Sequence, residues 1–299
     1  MTLPLFYISS RGSSATAWIA KMLSMHPKLV CFHGTRSVPP TESGINDLSP
    51  EGFSDALITC TKSCQGQKIF GAVHGFYGIS AKQAVEVRGG TFSAIIRHPV
   101  KRIHSQFSDN FEKGLFLTDE REKNAFLQVY SKKLVETDKP HYYEDIIEKK
   151  YNHVSNRIEN GNVILSSVES LFFSICDQMI SCDVVCMEEA GKRANFRMED
   201  ITSSPEDFES FFRFVTADTI EPSGGYLDEV FSSKKVNRHV KKMDSNDIYQ
   251  SWPDSFQFIF QKVMQKYGER STGIYGEMDY ELPEIGTFRI DGPEIVKAD

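Results

Sequence analysis

Short apolar runs alternate with amphipathic helical stretches along the chain up to Glu112, and no other feature limits the fold as much. Leu5-Phe6-Tyr7-Ile8, Leu29-Val30-Cys31-Phe32 and the stretches 68–73 and 92–96 have strand length and strand composition. Between them, residues 17–25 set Trp18, Ile19, Met22 and Leu23 at helical spacing, and residues 80–87 read as a helix. His26-Pro27 ends the first helix, because proline disfavours α geometry in the residue before it. A further helix follows Pro99, with Val100, Ile103, Phe107 and Phe111 on one stripe. Strands that are apolar throughout and separated by helices predict an α/β fold, a central, mostly parallel sheet flanked by helices.

Beyond Glu112, the stretch 119–151 is charged and helical, and 167–180 reads as a helix. Val184 to Met187 and 194–198 read as strands, and 205–215 as a helix with Phe208, Phe211, Phe212 and Val215 inward. Residues 39–50 read as a surface loop. With no linker and no repeat, the 299 residues are expected to form a single α/β domain carrying a helical insertion around 113–180.

Charge narrows the partners. Lys and Arg number 34 against 41 Asp and Glu, a net charge of −7, which argues against a nucleic-acid or anionic-membrane binder. No apolar run reaches the roughly 18–20 residues of a membrane span. The N-terminus has no basic, apolar leader pattern. Cys31, Cys60, Cys64, Cys176, Cys182 and Cys186 fit no zinc or redox spacing, so reduced thiols in a cytoplasmic protein, without metal, are expected. The cations cluster. Arg88, Arg97, Lys101 and Arg102 fall in one stretch without an acid, and Lys234, Lys235, Arg238, Lys241 and Lys242 in another.

Two loops have the chemistry of anion sites. Ser9-Ser10-Arg11-Gly12-Ser13-Ser14-Ala15-Thr16-Ala17-Trp18 joins a strand to a helix through small residues and one arginine. Such a loop lets backbone N–H groups and hydroxyls converge on an anion at a helix N-terminus. It has no Gly-Lys-Ser/Thr, the signature of nucleoside-triphosphate loops. The second site is Arg97-His98-Pro99-Val100-Lys101-Arg102-Ile103-His104-Ser105. Here an arginine at a strand end precedes a helix whose Lys101, Arg102 and Ser105 are expected on one polar face. Two anion sites at neighbouring strand ends suit a ligand with two phosphate groups.

These residues resemble the sulfotransferases that use 3'-phosphoadenosine 5'-phosphosulfate (PAPS). Arg97, Pro99, Arg102 and Ser105 match the family's Arg-x-Pro-x-x-Arg-x-x-Ser motif in full. Ser14-Ala15-Thr16-Ala17-Trp18 is similar to its Ser-Gly-Thr-Thr-Trp, with Ala15 in place of glycine. The loop's usual Lys or Arg position falls on Ser13, and Arg11 lies two residues earlier. Phe196 to Ile201 with Pro205 resembles a structural strand–helix segment, and Ser232 to Arg238 a late basic loop.

The resemblance implies a P-loop-like nucleotide-binding architecture. Arg11, Gly12, Ser13, Ser14, Ala15, Thr16, Ala17 and Trp18 would hold the 5'-phosphosulfate. Arg97 and Ser105, with Lys234, Lys235 and Arg238, would hold the 3'-phosphate. It implies in-line transfer of a sulfuryl group to a hydroxyl or amine of a small-molecule, glycan or lipid acceptor, releasing 3'-phosphoadenosine 5'-phosphate (PAP). The insertion would serve the acceptor side. Histidine suits the general base at neutral pH. His74 and His33, each after a strand and before a glycine, are the candidates, with Arg11 as the catalytic cation, whereas His98 and His104 are expected to be structural. The alternatives are an ATP-dependent small-molecule kinase with a degenerate loop and a nucleotide-binding module without catalysis.

Overall fold

A computed structural model describes residues 4–10, 14–39, 49–74, 79–137, 158–159, 162–233, 244–283 and 294–296. The strands are β1 (Phe6–Ser9), β2 (Leu29–His33), β3 (Ile69–Val73), β4 (Thr91–Ile96), β5 (Ile158–Glu159), β6 (Asn162–Ile164), β7 (Asn195–Arg197) and β8 (Glu294–Val296). The helices are α1 (Thr16–Met25), α2 (Pro50–Ser63), α3 (Ile79–Glu86), α4 (Pro99–Glu112), α5 (Glu120–Thr137) and α6 (Ser167–Ala190). After them come α7 (Met198–Ile201), α8 (Pro205–Val215), α9 (Gly224–Ser232), α10 (Ser245–Ser251) and α11 (Asp254–Glu277). By contact density the chain forms two compact units, Met1–Arg97 with Cys182–Arg238, and His98–Ser181 with His239–Asp299.

The first unit holds a five-stranded sheet in the order β2-β3-β1-β4-β7, in which every neighbouring pair is parallel. The expected α/β class is what the chain adopts. β1 lies at the centre and is buried on both faces. Phe6 and Ile8 pack with Trp18, Ile19, Met22 and Leu23 of α1 and with Phe208, Phe211 and Phe212 of α8. Leu5 and Tyr7 face the other way, against Phe53 and Leu57 of α2 and Val85 of α3. This two-sided burial explains why the strand reads as a continuous apolar run. On β3, Gly71 lies opposite Phe6, and a Cβ there would overlap the Phe6 ring.

Two expectations about helices are corrected. Val184 to Met187 is not a strand, since α6 runs unbroken from Ser167 to Ala190. Ser181-Cys182-Asp183 contains no helix breaker, and the buried set Phe172, Ile175, Cys176, Met179, Ile180, Asp183, Val184 and Met187 keeps helical spacing, so burial overrides the β preference of the two valines. α6 is also the one described helix long and apolar enough to cross a membrane by length and composition, and half of that stretch is buried inside the protein. Secondly, Arg102 does not share a solvated face with Lys101 and Ser105. It is fully buried along with Val100, Ile103 and His104, on a face of α4 wider than the Phe stripe suggested.

The second unit is built on aromatic packing. Phe172 stacks on Phe256 at 4.0 Å, and Phe107 packs edge-on against both. The Trp252 indole N–H donates to His104 Nδ1 at 3.2 Å, and His98 Nε2–H donates to the Glu281 carbonyl at 2.9 Å. Both histidines thus have structural hydrogen bonds. β6 pairs antiparallel with β5 and parallel with β8 in a small sheet.

Candidate functional site

Strand order locates the candidate site. From β1 the chain crosses through α1 to the β2 edge, whereas beyond β4 the next strand of the sheet is β7, at the opposite edge. The carboxyl ends of β1 and β4 therefore flank the switch point of the sheet, where ligands of open α/β folds bind. Ser10 follows β1 there and Arg97 follows β4. The Ser10 hydroxyl donates to the Ile95 carbonyl at 3.0 Å and continues the β1–β4 pairing beyond the strand end.

α1 begins without a side-chain cap. Ala15, its N-cap, has φ 54° and ψ 21°, the left-handed region, and accepts the helix's first backbone bond from Ile19 at 3.0 Å. A side chain there costs roughly 1–2 kcal/mol relative to glycine. The first amides of α1 receive no bond from the Ala15 side chain, which has no acceptor to offer the positive end of the helix. Ser14, just before it, is fully buried, and its hydroxyl has no hydrogen-bond partner among the described residues. A buried, unsatisfied hydroxyl next to an uncapped helix start suits an anionic group, for which it supplies one more donor. Thr16, the first residue of α1, is also buried, and its Oγ1 lies 3.1 Å from His33 Nε2. Trp18 points into the core, edge-on to Phe208 at 5.8 Å and to Phe231 at 6.4 Å.

β2 and β3 carry the two candidate histidines to one place. Their pairing continues past the strands through Gly34 N–H to the Val73 carbonyl (2.8 Å) and Thr35 N–H to the His74 carbonyl (3.2 Å). The rings of His33 and His74 lie nearly parallel, 22° apart, with centroids separated by 6.1 Å. His74 has φ 75°, a left-handed conformation rare for a residue with a side chain, and its N–H bonds the Ile8 carbonyl at 3.0 Å. Its Nδ1 lies 2.9 Å from the Ser10 carbonyl. A carbonyl only accepts, so Nδ1 carries the proton and, in the neutral ring, Nε2 is the basic nitrogen. Partial desolvation and, second, the neighbouring His74 hold the His33 imidazole below its ordinary value. The Cys31 thiol behind them is pushed far up by burial and is no nucleophile at neutral pH.

The sequence candidates thus divide. Ser14, Ala15, Thr16, Ala17, His33 and His74 lie at the carboxyl edge of one sheet, with Arg97 at the end of β4. Arg102 and Ser105 belong to α4 in the second unit, so the chain passes from one unit to the other within the Arg-x-Pro motif. Arg11, Gly12, Ser13, Lys234, Lys235 and Arg238 lie outside the described residues. Arg197 ends β7 and pairs with Asp200 at 3.4 Å, and α8 follows, capped by Ser204, giving the strand–helix segment read from the sequence. Ser10 was missed as a site residue. Its hydroxyl and carbonyl tie β1, β4 and His74 together, yet in the sequence it is one more serine of a serine-rich loop.

No family model and no curated protein matches the chain. Among solved structures, the sulfotransferase domain from the curacin biosynthetic pathway is similar to it, with 14% identity and a TM-score of 0.40, the match covering 95% of this chain and 100% of that domain.

Proposed function

We propose that the chain transfers a sulfuryl group from PAPS to a hydroxyl or amine of an acceptor, with His74 as the general base. The observation that carries this reading is the His74 Nδ1–Ser10 carbonyl bond, which makes Nε2 the basic nitrogen of a ring held at the end of β3, beside β1. The site fits the donor's anionic groups, since the Ser14 hydroxyl is buried without a partner among the described residues and α1 lacks a side-chain cap at Ala15. PAPS, when bound, supplies a sulfuryl group on a phosphate leaving group. The α1 amides and the Ser14 and Thr16 hydroxyls would bind its anionic oxygens and offset charge that grows on them during transfer. His74 would take the acceptor's proton at Nε2, while the Ser10 carbonyl keeps the ring's tautomer and steadies the imidazolium that forms. Arg97, which follows the carboxyl end of β4, would supply a cation to a second phosphate of the same ligand.

Thermal-shift titration tests the donor. PAP alone is expected to raise the melting temperature, and ATP with Mg²⁺ to leave it unchanged. Stabilisation by ATP–Mg²⁺ and none by PAP would assign the site to phosphoryl transfer instead.

A further inference from the structure

We infer that His33 is a positioning residue for the donor, acting through Thr16. With an anionic oxygen at the start of α1, His33 donates its Nε2–H to Thr16 Oγ1, and Thr16 gives its own hydroxyl proton to the anion. This rests on the reading of α1 as the donor site. The inference starts from the 3.1 Å separation of Thr16 Oγ1 and His33 Nε2 across 17 residues of sequence. A threonine hydroxyl has one proton and two lone pairs. Sulfate and phosphate oxygens only accept, and a hydrogen bond to an anion is about twice as strong as a neutral one. The single Thr16 proton therefore goes to the anion, and the oxygen's remaining capacity is for accepting. His33 Nε2 is in place to donate to it. The His33 imidazole is held below its ordinary value, so near neutral pH this selects a tautomer without adding a charge beside His74. The main-chain bonds of Gly34 and Thr35 to the end of β3 hold the His33 backbone in register. Bonded to His33 in either tautomer, the Thr16 oxygen is held in place before the donor arrives, and only its proton turns to the anion, so the side-chain freedom lost on binding is smaller.

The experiment is a double-mutant cycle on PAP affinity, read by calorimetry, with ¹⁵N NMR of the histidine rings. His33→Ala is expected to weaken PAP about tenfold in the native background and less than about twofold in Thr16→Val, whose side chain has nearly the same shape but no hydroxyl. Thr16→Ser, which keeps the hydroxyl, is expected to keep the full tenfold effect. Addition of PAP should move His33 Nε2 to the protonated type in the native protein and leave it unmoved in Thr16→Val. Equal losses from His33→Ala in all three backgrounds, or a His33 Nε2 that stays unprotonated with PAP bound, overturns the inference and leaves the donor assignment standing. Failure of the unaltered protein to bind PAP removes both.

Discussion

Ala15→Gly tests the loop geometry through stability alone. Ala15 has φ 54° and ψ 21°, so its methyl group bears a left-handed penalty of about 1–2 kcal/mol. Glycine removes that penalty but adds freedom to the unfolded chain, costing about 0.4–1 kcal/mol. The Ala15 methyl is partly buried against the core, and its loss costs about 0.3 kcal/mol more, for less than half of a fully buried methylene. The central values of these contributions leave a net gain of about 0.5 kcal/mol. Two residues on, Ala17 lies inside α1 with ordinary helical geometry, and Ala17→Gly should cost about 1.3 kcal/mol, propensity and partial burial together. The two variants make the same chemical change and should differ by about 1.8 kcal/mol at these central values, with opposite signs. In urea unfolding followed by circular dichroism, with m of about 2–3 kcal/mol/M, their midpoints should lie about 0.5–1 M apart. Equal destabilisation by both glycines would refute the left-handed N-cap.

Ser14→Ala removes a buried hydroxyl that has no partner among the described residues, so it should stabilise the ligand-free protein by about 1 kcal/mol while weakening PAP several-fold; a loss of stability in urea, or unchanged PAP affinity by calorimetry, contradicts this role. Gly71→Ala drives a methyl into the Phe6 ring and should cost about 1–3 kcal/mol in the same unfolding assay, with Gly71→Ala at native stability counting against the β1–β3 register. His26 caps the C-terminal end of α1, with its Nδ1 accepting from Lys28 N–H at 3.3 Å and Phe212 and Tyr226 edge-on to its ring. Burial first, and Lys28 second, hold it below its ordinary 6.5, so on acidification the unfolded chain takes up this proton before the folded one. Stability should fall as pH drops through about 6.5 and level off below the folded value, and His26→Phe should reduce that slope; an unchanged slope in the variant would show that His26 does not drive it.

Much of the first unit is legible in the sequence because its strands are buried on both faces and its helices are bounded by local chemistry. The run at β1, the small-residue loop and the stripe of α1 all state their structure within a few residues. α2 is written as plainly, with Ser49 capping Gly52 N–H ahead of Pro50, but it follows a proline- and serine-rich stretch that reads as loop. Where burial decided, local signals misled, as in the valines of α6 and the fully buried guanidinium of Arg102. In the site, residue types and strand ends were readable, since histidines after short apolar runs fall at the carboxyl edge of a parallel sheet. The contacts that give them chemistry were not. The bond from His74 to the Ser10 carbonyl spans 64 residues and that from His33 to Thr16 spans 17, and no local pattern encodes either.

The central claim is sulfuryl transfer with His74 as base, and its most direct measurement is the transfer of labelled sulfate from PAPS to a panel of alcohols, phenols and amines. The native protein and His74→Asn should be compared, because asparagine tolerates the positive φ at this position. The account predicts transfer by the native protein, a fall of roughly 10²–10⁴ in turnover for His74→Asn, and the same PAP affinity in both. Undiminished turnover in His74→Asn, or a native protein that binds PAP and sulfates nothing in the panel, would contradict it.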